Sequence, residues 1–414
     1  MSRIDELIAE LCPDGVEHKT LGELGIFARG NGLQKKDLRD SGVPAIHYGQ
    51  VHTHYGIWTT ETKSFVTPEF AARLRKAEPG DLVIATTSED DEAVAKAVAW
   101  LGFVPAAVSG DAYIYQHSLD PKYVAYFFQS ERFQEQKKRG ITGTKVRRIS
   151  GDSLAKIRIP VPPSEIQREI VRILDLFTTL EAELEAELEA RRRQYAHYRD
   201  SLLTFPEGGV RWVPMGEVGT IFGGLTGKSK ADFSDGNARF ISYVNVFNNI
   251  AADMLADDRV RVGPSERQRA LQRGDVLFTG SSETVDEVAM SSVITADVPE
   301  PVYLNSFCIG YRLNETGLLD PDFAKHLFRS AGMRGQLIRT ASGVTRFNVS
   351  KQRLAKVRIP IPEVGEQRRI AGVLDKLDAL VNDLSVGLPA ELAARRKQYE
   401  YYRDQVLTFK EAAA

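Results

Sequence analysis

At 414 residues, 43% of them hydrophobic, the chain can bury two or three cores of ordinary domain size. Its 54 basic and 56 acidic residues leave a formal net charge of -2, so bulk charge points to no nucleic-acid partner and local patches must decide. Cys12 and Cys308, the only cysteines, imply no disulfide framework, and no stretch nears the roughly 20 apolar residues of a membrane span, so a cytoplasmic protein without a membrane partner is expected.

In chain order, DELIAELC predicts a short N-terminal helix within 1–12, followed by a globular domain to residue 163. LAKIRIPVP from Leu154 reads as a strand ending in a proline break. A long amphipathic helix over 164–205 follows, with Ser164 as its N-cap and Pro206, Gly208 and Gly209 ending it. Its apolar seam, Ile170, Ile173, Phe177, Leu180, Leu184 and Leu188, keeps the 4,3 alternation of a heptad. Glu187 and Glu189 stand four residues before Arg191 and Arg193, so the glutamate run reads as a solvated face with supporting ion pairs.

A second globular domain over 206–362 and a C-terminal helix over 363–410 repeat this order. LAKVRIPIP from Leu354 matches the first proline-terminated strand, and ARRKQYEYYRDQVLTF from Ala394 matches ARRRQYAHYRDSLLTF from Ala190 at 11 of 16 positions. Weaker pairs are LGELG at Leu21 with MGEVG at Met215, PGDLVIATTSE at Pro79 with RGDVLFTGSSE at Arg273, and GTKVRRIS at Gly143 with GVTRFNVS at Gly343. The second helix carries the seam Ile370, Val373, Leu377, Leu380, Leu384, Leu388 and Leu392, and Pro389 should kink or break it. The expected fold is α+β: two mixed α/β domains joined by two long antiparallel coiled-coil helices in a pseudo-two-fold internal repeat. Such symmetry suits a partner that is itself two-fold, such as duplex DNA or a pair of identical subunits.

Recognisable catalytic chemistry is scarce. FGGLTGKS from Phe222 has phenylalanine where a phosphate-binding loop needs its first glycine, and no helix pattern follows. His47, His52 and His54 lack a fourth ligand at usual spacing, so IHYGQVHTHYG reads as a polar binding strand rather than a metal site. A metalloenzyme using these histidines and a coiled-coil scaffold binding protein are the competing readings; the scaffold leaves the matched basic loops without a purpose.

LAKIRIPVPPSEIQREIVRILD, its second copy, and the ARRRQYxxYRDSLL helix end resemble the specificity subunit of type I restriction-modification enzymes, along the whole chain. The resemblance implies a non-catalytic DNA reader: two target recognition domains, separated by the helices, direct adenine-N6 methylation and restriction at a bipartite, asymmetric site with a fixed gap. It implies double-stranded DNA, two modification subunits and motor-nuclease restriction subunits as partners. No cofactor is then expected in this chain, with S-adenosylmethionine, ATP and magnesium held by the partner subunits. No N-P-P-F type loop or complete Walker motif occurs here.

A DNA reader needs cations for phosphates and hydrogen-bonding groups for base edges. The candidates in the first domain are Lys35, Lys36, His47, Tyr48, Gln50, His52, His54, Lys145, Arg147 and Arg148. Those in the second are Lys228, Lys230, Tyr243, Asn245, Asn248, Asn249, Thr345, Arg346 and Asn348. Partner docking is expected of Arg191, Arg192, Tyr195 and Tyr198 on the first helix, and of Arg395, Arg396, Tyr399 and Tyr402 on the second.

Overall fold

Proline-delimited strands and seam-bearing helices organise the computed structural model, which describes residues 3–206, 208–233, 235–383 and 385–412. The chain divides into two units, Met1–Glu185 with Leu392–Ala414, and Ala186–Glu391.

In the first unit, alternation of apolar residues builds a five-stranded sheet ordered Gly25–Arg29, Ala112–His117, Leu82–Ala85, Ala97–Trp100 and Trp58–Thr59. A four-stranded sheet, ordered Ser64–Val66, Val43–Ile46, Ala106–Val108 and Lys76–Ala77, lies beside it. Leu82–Ala85 and Ala97–Trp100 are buried on both faces, which explains their unbroken apolar runs. The second unit repeats the plan with a four-stranded sheet (Gly219–Gly223, Cys308–Leu313, Val276–Thr279, Ser291–Val293) and a three-stranded one (Arg259–Val260, Ala238–Ile241, Val302–Leu304).

The repeated R-I-P-x-P segment is the strand Arg158–Pro160 in one unit and Arg358–Ile361 in the other. Each pairs antiparallel with the strand that opens its unit, His18–Thr20 or Arg211–Pro214. Each is also gripped by a glutamine amide: Gln136 Nε2 donates to Arg158 O while its Oε1 accepts from Arg158 N, and Gln336 does the same to Arg358.

The central helix runs Ser164–Leu202, about 58 Å at helical rise. Ser164 is its first residue rather than its cap, because Gln167 N already donates to Pro163 O. Gln167 then fixes the helix start to its domain: its Oε1 accepts from Asp120 N at 3.0 Å and its Nε2 donates to Pro162 O at 2.7 Å. Gln367 repeats this on Asp320 N at 2.8 Å and Pro362 O at 2.8 Å.

The expected single helix over 363–410 is two helices, Val364–Asn382 and Leu388–Val406. Asp383 turns the chain by accepting from Ser385 N at 2.7 Å, a β carbon on Gly387 would collide with Ala379 O, and Pro389 falls in the first turn of the new helix, where its missing N–H has no cost. Leu384 of the expected seam lies outside the described residues. Within the first unit the helices run antiparallel: Phe177 meets Tyr399 and Tyr402 at ring centroids 6.3 and 5.6 Å apart, while Arg396 pairs with Glu181 at 2.6 Å and with Glu185. The glutamate face is therefore partly a pairing surface; Glu187–Arg191 and Glu189–Arg193 form as expected, at 3.2 and 3.5 Å.

Candidate nucleic-acid interface

In both units the segments that reach one face come from the same places in the fold. A hairpin, Ile141–Thr142 with Arg147–Ile149, pairs with Thr87–Ser88; its counterpart, Ala341–Ser342 with Phe347–Val349, pairs with Ser281–Ser282. The tips turn through Gly143 at φ +90° and Gly343 at φ +149°, backbone that glycine alone adopts without strain.

The polar segment after Ile46 is a helix, Tyr48–Thr53, and not the expected strand. His47 caps it, its Nδ1 accepting from Gly49 N at 3.2 Å, and Gln50 Oε1 reaches back to His47 N at 3.3 Å. Tyr243–Asn248 is the matching helix, capped by Ser242.

Lys35, His47 and Tyr48 come together with Arg29 and Asp111 around a cleft of about 450 Å³ in the first unit. Arg29, missed in the sequence, donates Nε to Gly110 O at 2.7 Å and pairs with Asp111 at 3.4 Å. Burial holds the imidazoles of His47 and His52 below the usual histidine range, keeping them neutral hydrogen-bonding groups. His52 Nε2 lies 2.9 Å from Thr87 O, and Arg147 bonds Asp91 at 2.9 Å. Lys36, His54, Lys145 and Arg148 are exposed around this cluster. Gln50 is taken up internally, its Nε2 donating to Ser64 Oγ at 2.7 Å. Among the described residues no three His, Cys, Asp or Glu side chains converge as a metal site.

In the second unit Tyr243 and Arg346 share a cleft of about 460 Å³ with Phe247 and Phe307, two aromatic residues that did not stand out in the sequence. Lys230, Asn248, Thr345 and Asn348 are exposed. Three candidates, Lys228, Asn245 and Asn249, are structural instead. Lys228 is almost fully buried, giving its ammonium to Arg261 O and to Glu266 at 2.5 Å; that hydrogen bond pulls the Glu266 carboxyl down to about 2. Asn245 is buried and holds Asp253 N at 2.9 Å, with Asn249 Nδ2 donating to Asn245 Oδ1 at 3.0 Å. An amide in a short capped helix closes its own loop first.

The repeated helix end has a local purpose. Tyr195 is buried with its hydroxyl 3.2 Å from His326 Nδ1, and Asp200 accepts from Ala331 N at 2.9 Å. In the first unit Tyr399 is buried against Gln129 at 3.2 Å and Asp404 accepts from Glu131 N at 2.9 Å. Tyr195 and Tyr399 are thus committed to their own units and not displayed for docking, and Arg396 is paired with Glu181 and Glu185. Arg191, Arg192, Tyr198, Arg395 and Tyr402 remain on the surface.

A cation also fixes the turn behind each interface. Lys137, pushed down to about 8 by burial, donates to Glu92 O at 2.6 Å and Val94 O at 2.8 Å. Arg334 reaches the matching turn, at Ala289 O (2.6 Å) and Val288 O (2.7 Å). Ala95 and Ala289, in those turns, are the non-glycine residues at positive φ, 65° and 55°, among the described residues.

The family model for the type I restriction modification DNA specificity domain matches twice, over residues 13–190 and 209–394. The chain belongs to that family. Among curated members, the Escherichia coli type I restriction enzyme EcoR124I/EcoR124II specificity subunit is 35% identical over 274 residues, 63% of this chain and 65% of that protein, so the match spans just under two thirds of the relative's length. A putative type I restriction enzyme specificity subunit of Haemophilus influenzae is 28% identical over 277 residues, 65% of this chain and 68% of its own. The specificity-family fold is shared with a chain from a structure concerned with complex assembly and conformational transition of the type I R-M system, at TM-score 0.61 and 18% identity over 95% of this chain and 98% of that one. The HsdS subunit of Thermoanaerobacter tengcongensis gives TM-score 0.50 at 17% identity, over 96% of each chain. No helix among the described residues is long and apolar enough to cross a membrane.

Proposed function

We propose that this chain is the DNA-recognition subunit of a type I restriction-modification complex, non-catalytic itself, which directs adenine-N6 methylation and restriction by its partners in the cytoplasm. One observation carries the reading. The joint between domain and helix is built alike in both units, through Gln167 and Gln367, while the side chains on the matching interface differ. Shared joints with divergent faces are what a reader of two different half-sites requires.

In this reading Lys35, Lys36, Lys145, Arg147 and Arg148 meet phosphates or bases of one half-site with His47, Tyr48, His52 and His54 beside them. Lys230, Tyr243, Asn248, Thr345, Arg346 and Asn348 meet the other. Domains over 1–163 and 206–362 do the reading, and the spacer helices over 164–205 and 363–410 set the gap. Two modification subunits dock on exposed helix residues such as Arg191, Arg192, Tyr198 and Tyr402. Those subunits hold S-adenosylmethionine, and restriction subunits use ATP and magnesium.

The test is to co-express the chain with the methyltransferase encoded beside its gene and map N6-methyladenine across the host DNA. A split motif with a constant gap is expected, and lengthening the spacer should change the gap but neither half. A complex that copurifies yet leaves DNA unmethylated, or a spacer change that alters the bases read, would overturn the proposal. Because phosphate neutralisation releases counterions, affinity should fall steeply with salt.

A further inference from the structure

The two interfaces can be matched residue by residue through their hydrogen bonds. Thr86 N donates to Asp111 O and Gly280 N to Phe307 O; Ile149 N donates to Thr86 O and Val349 N to Gly280 O. Tyr48 and Tyr243 open the matching helices. On this register, Gly49, His52, Asp91, Asp111 and Thr144 of the first unit stand where the second has Val244, Phe247, Val285, Phe307 and Val344. Every one of these positions is glycine or polar in the first unit and apolar in the second.

This apolar set is not core. Val244 is 63%, Phe307 61% and Val344 91% exposed; Val244, Phe247 and Phe307 line the cleft that Arg346 shares, and Val344 lies in the hairpin tip two residues before Arg346. Leaving such groups in water is tolerated one at a time, but a cluster of them at a candidate interface marks what the interface contacts. Phe247 stacks on Tyr243 with centroids 6.2 Å apart, which makes one wall rigid. Arg346 is held in place through Nε and Nη2, which donate to Ser281 Oγ at 3.2 and 3.0 Å, and its guanidinium sits 6.0 Å from the centre of the Phe307 ring. The remaining charged groups of the cleft, Glu283 and Glu287, are acceptors. An apolar surface with carboxylate acceptors beside it fits the major-groove edge of an A·T pair, which offers the thymine methyl and the adenine N6 amino group.

We propose that the second unit reads an A·T pair in its half-site by packing the thymine C5-methyl against Phe307 and its apolar neighbours, whereas the first unit reads through polar groups at the same positions. This rests on the reading of the chain as a DNA-recognition subunit. The experiment uses the complex with its modification subunits and duplexes carrying the mapped target, in which each thymine is replaced in turn by deoxyuridine, so that only a methyl is lost. Equilibrium binding at one fixed salt concentration should weaken about three- to five-fold at one thymine, the effect of withdrawing a single buried methyl-sized group. Phe307→Ala should remove the dependence at that thymine, and Phe307→Leu, which keeps an apolar contact, should retain it. A complex that prefers its target over scrambled DNA but shows no thymine whose methyl effect vanishes in Phe307→Ala would overturn this inference alone. A complex with no target preference at all would instead overturn the DNA-recognition reading on which it stands.

Discussion

The turns P-G-D and R-G-D look interchangeable in the sequence, yet the two units should respond very differently when the aspartate is removed. In both, the carboxylate closes the turn, Asp81 accepting from Glu78 N and Asp275 from Gln272 N at 2.8 Å. In the second unit Asp275 is fully buried and gripped at both oxygens by Arg312, at 2.7 and 2.6 Å, whose guanidinium keeps only about a quarter of its exposure. The position equivalent to Arg312 is Gln116, so burial leaves Asp81 without a cation and raises its carboxyl above the usual range. Asp275→Ala strands a largely buried guanidinium and a backbone donor together, and should cost about 3–5 kcal/mol. Asp81→Ala removes a turn hydrogen bond but no ion partner, and should cost about 1–2 kcal/mol. Urea titration separates the two, since Trp58 and Trp100 lie in the first unit and Trp212 in the second, and hydrogen exchange of the strands Leu82–Ala85 and Val276–Thr279 locates the loss. Replacing Asp275 and Arg312 together by leucine should recover more than half of the Asp275→Ala loss. Equal costs in the two units, or a loss below about 1 kcal/mol for Asp275→Ala, would refute the reasoning.

Gln367→Ala leaves Asp320 N and Pro362 O without their partner and should destabilise the joint by about 2–3 kcal/mol, read as faster hydrogen exchange at the start of the helix Val364–Asn382. Gly343→Ala places a β carbon against Arg346 O at positive φ; strain of about 1–3 kcal/mol should loosen the hairpin Ala341–Val349 in hydrogen exchange and erase recognition of one half-site while the other persists. Burial pushes His117 down to about 4, so between pH 6.5 and 4 the unfolded chain binds the extra proton. The contribution of His117 to the first unit is then complete above pH 6.5 and falls by about 3 kcal/mol as pH drops to 4; His117→Phe should remove that share of the decline in melts across the range and leave the part due to His47 and His52.

Much of the architecture was readable because it is periodic and duplicated. The 4,3 seam and flanking prolines located the helix Ser164–Leu202, and Pro389 flagged the break between Val364–Asn382 and Leu388–Val406. The helix Tyr48–Thr53 was not readable, since six residues are too few for a helical period and its cap is a histidine, outside the usual capping set. Composition ranked Lys228 and Asn245 as readers, but residue type does not report which loop side chains fold inward to close their own loops. The cleft around Phe307 escaped for another reason: its walls come from four segments some 20 to 40 residues apart, and a lone exposed phenylalanine in a sequence carries no signal. The repeated Tyr-Arg-Asp helix end was visible at once, and its task, anchoring each helix to the domain beside it, became clear only from Ala331 and Glu131.

The closure of the first unit also bears on synthesis. Val16 N donates to Lys410 O at 2.9 Å, Ala412 N donates to Val16 O at 3.1 Å, and Arg158 meets Glu411 at 2.5 Å. These contacts join a segment made at the start to one made roughly 200 residues after the rest of the unit. At ordinary elongation rates the ribosome needs about 10–40 s for that stretch. The second unit, contiguous in the chain, can finish folding during translation, whereas the first must wait with its buried Tyr399, Leu407 and Phe409 positions unfilled. Chaperone capture and proteolytic nicking of nascent chains should therefore fall on the first unit, although it is the first to leave the ribosome.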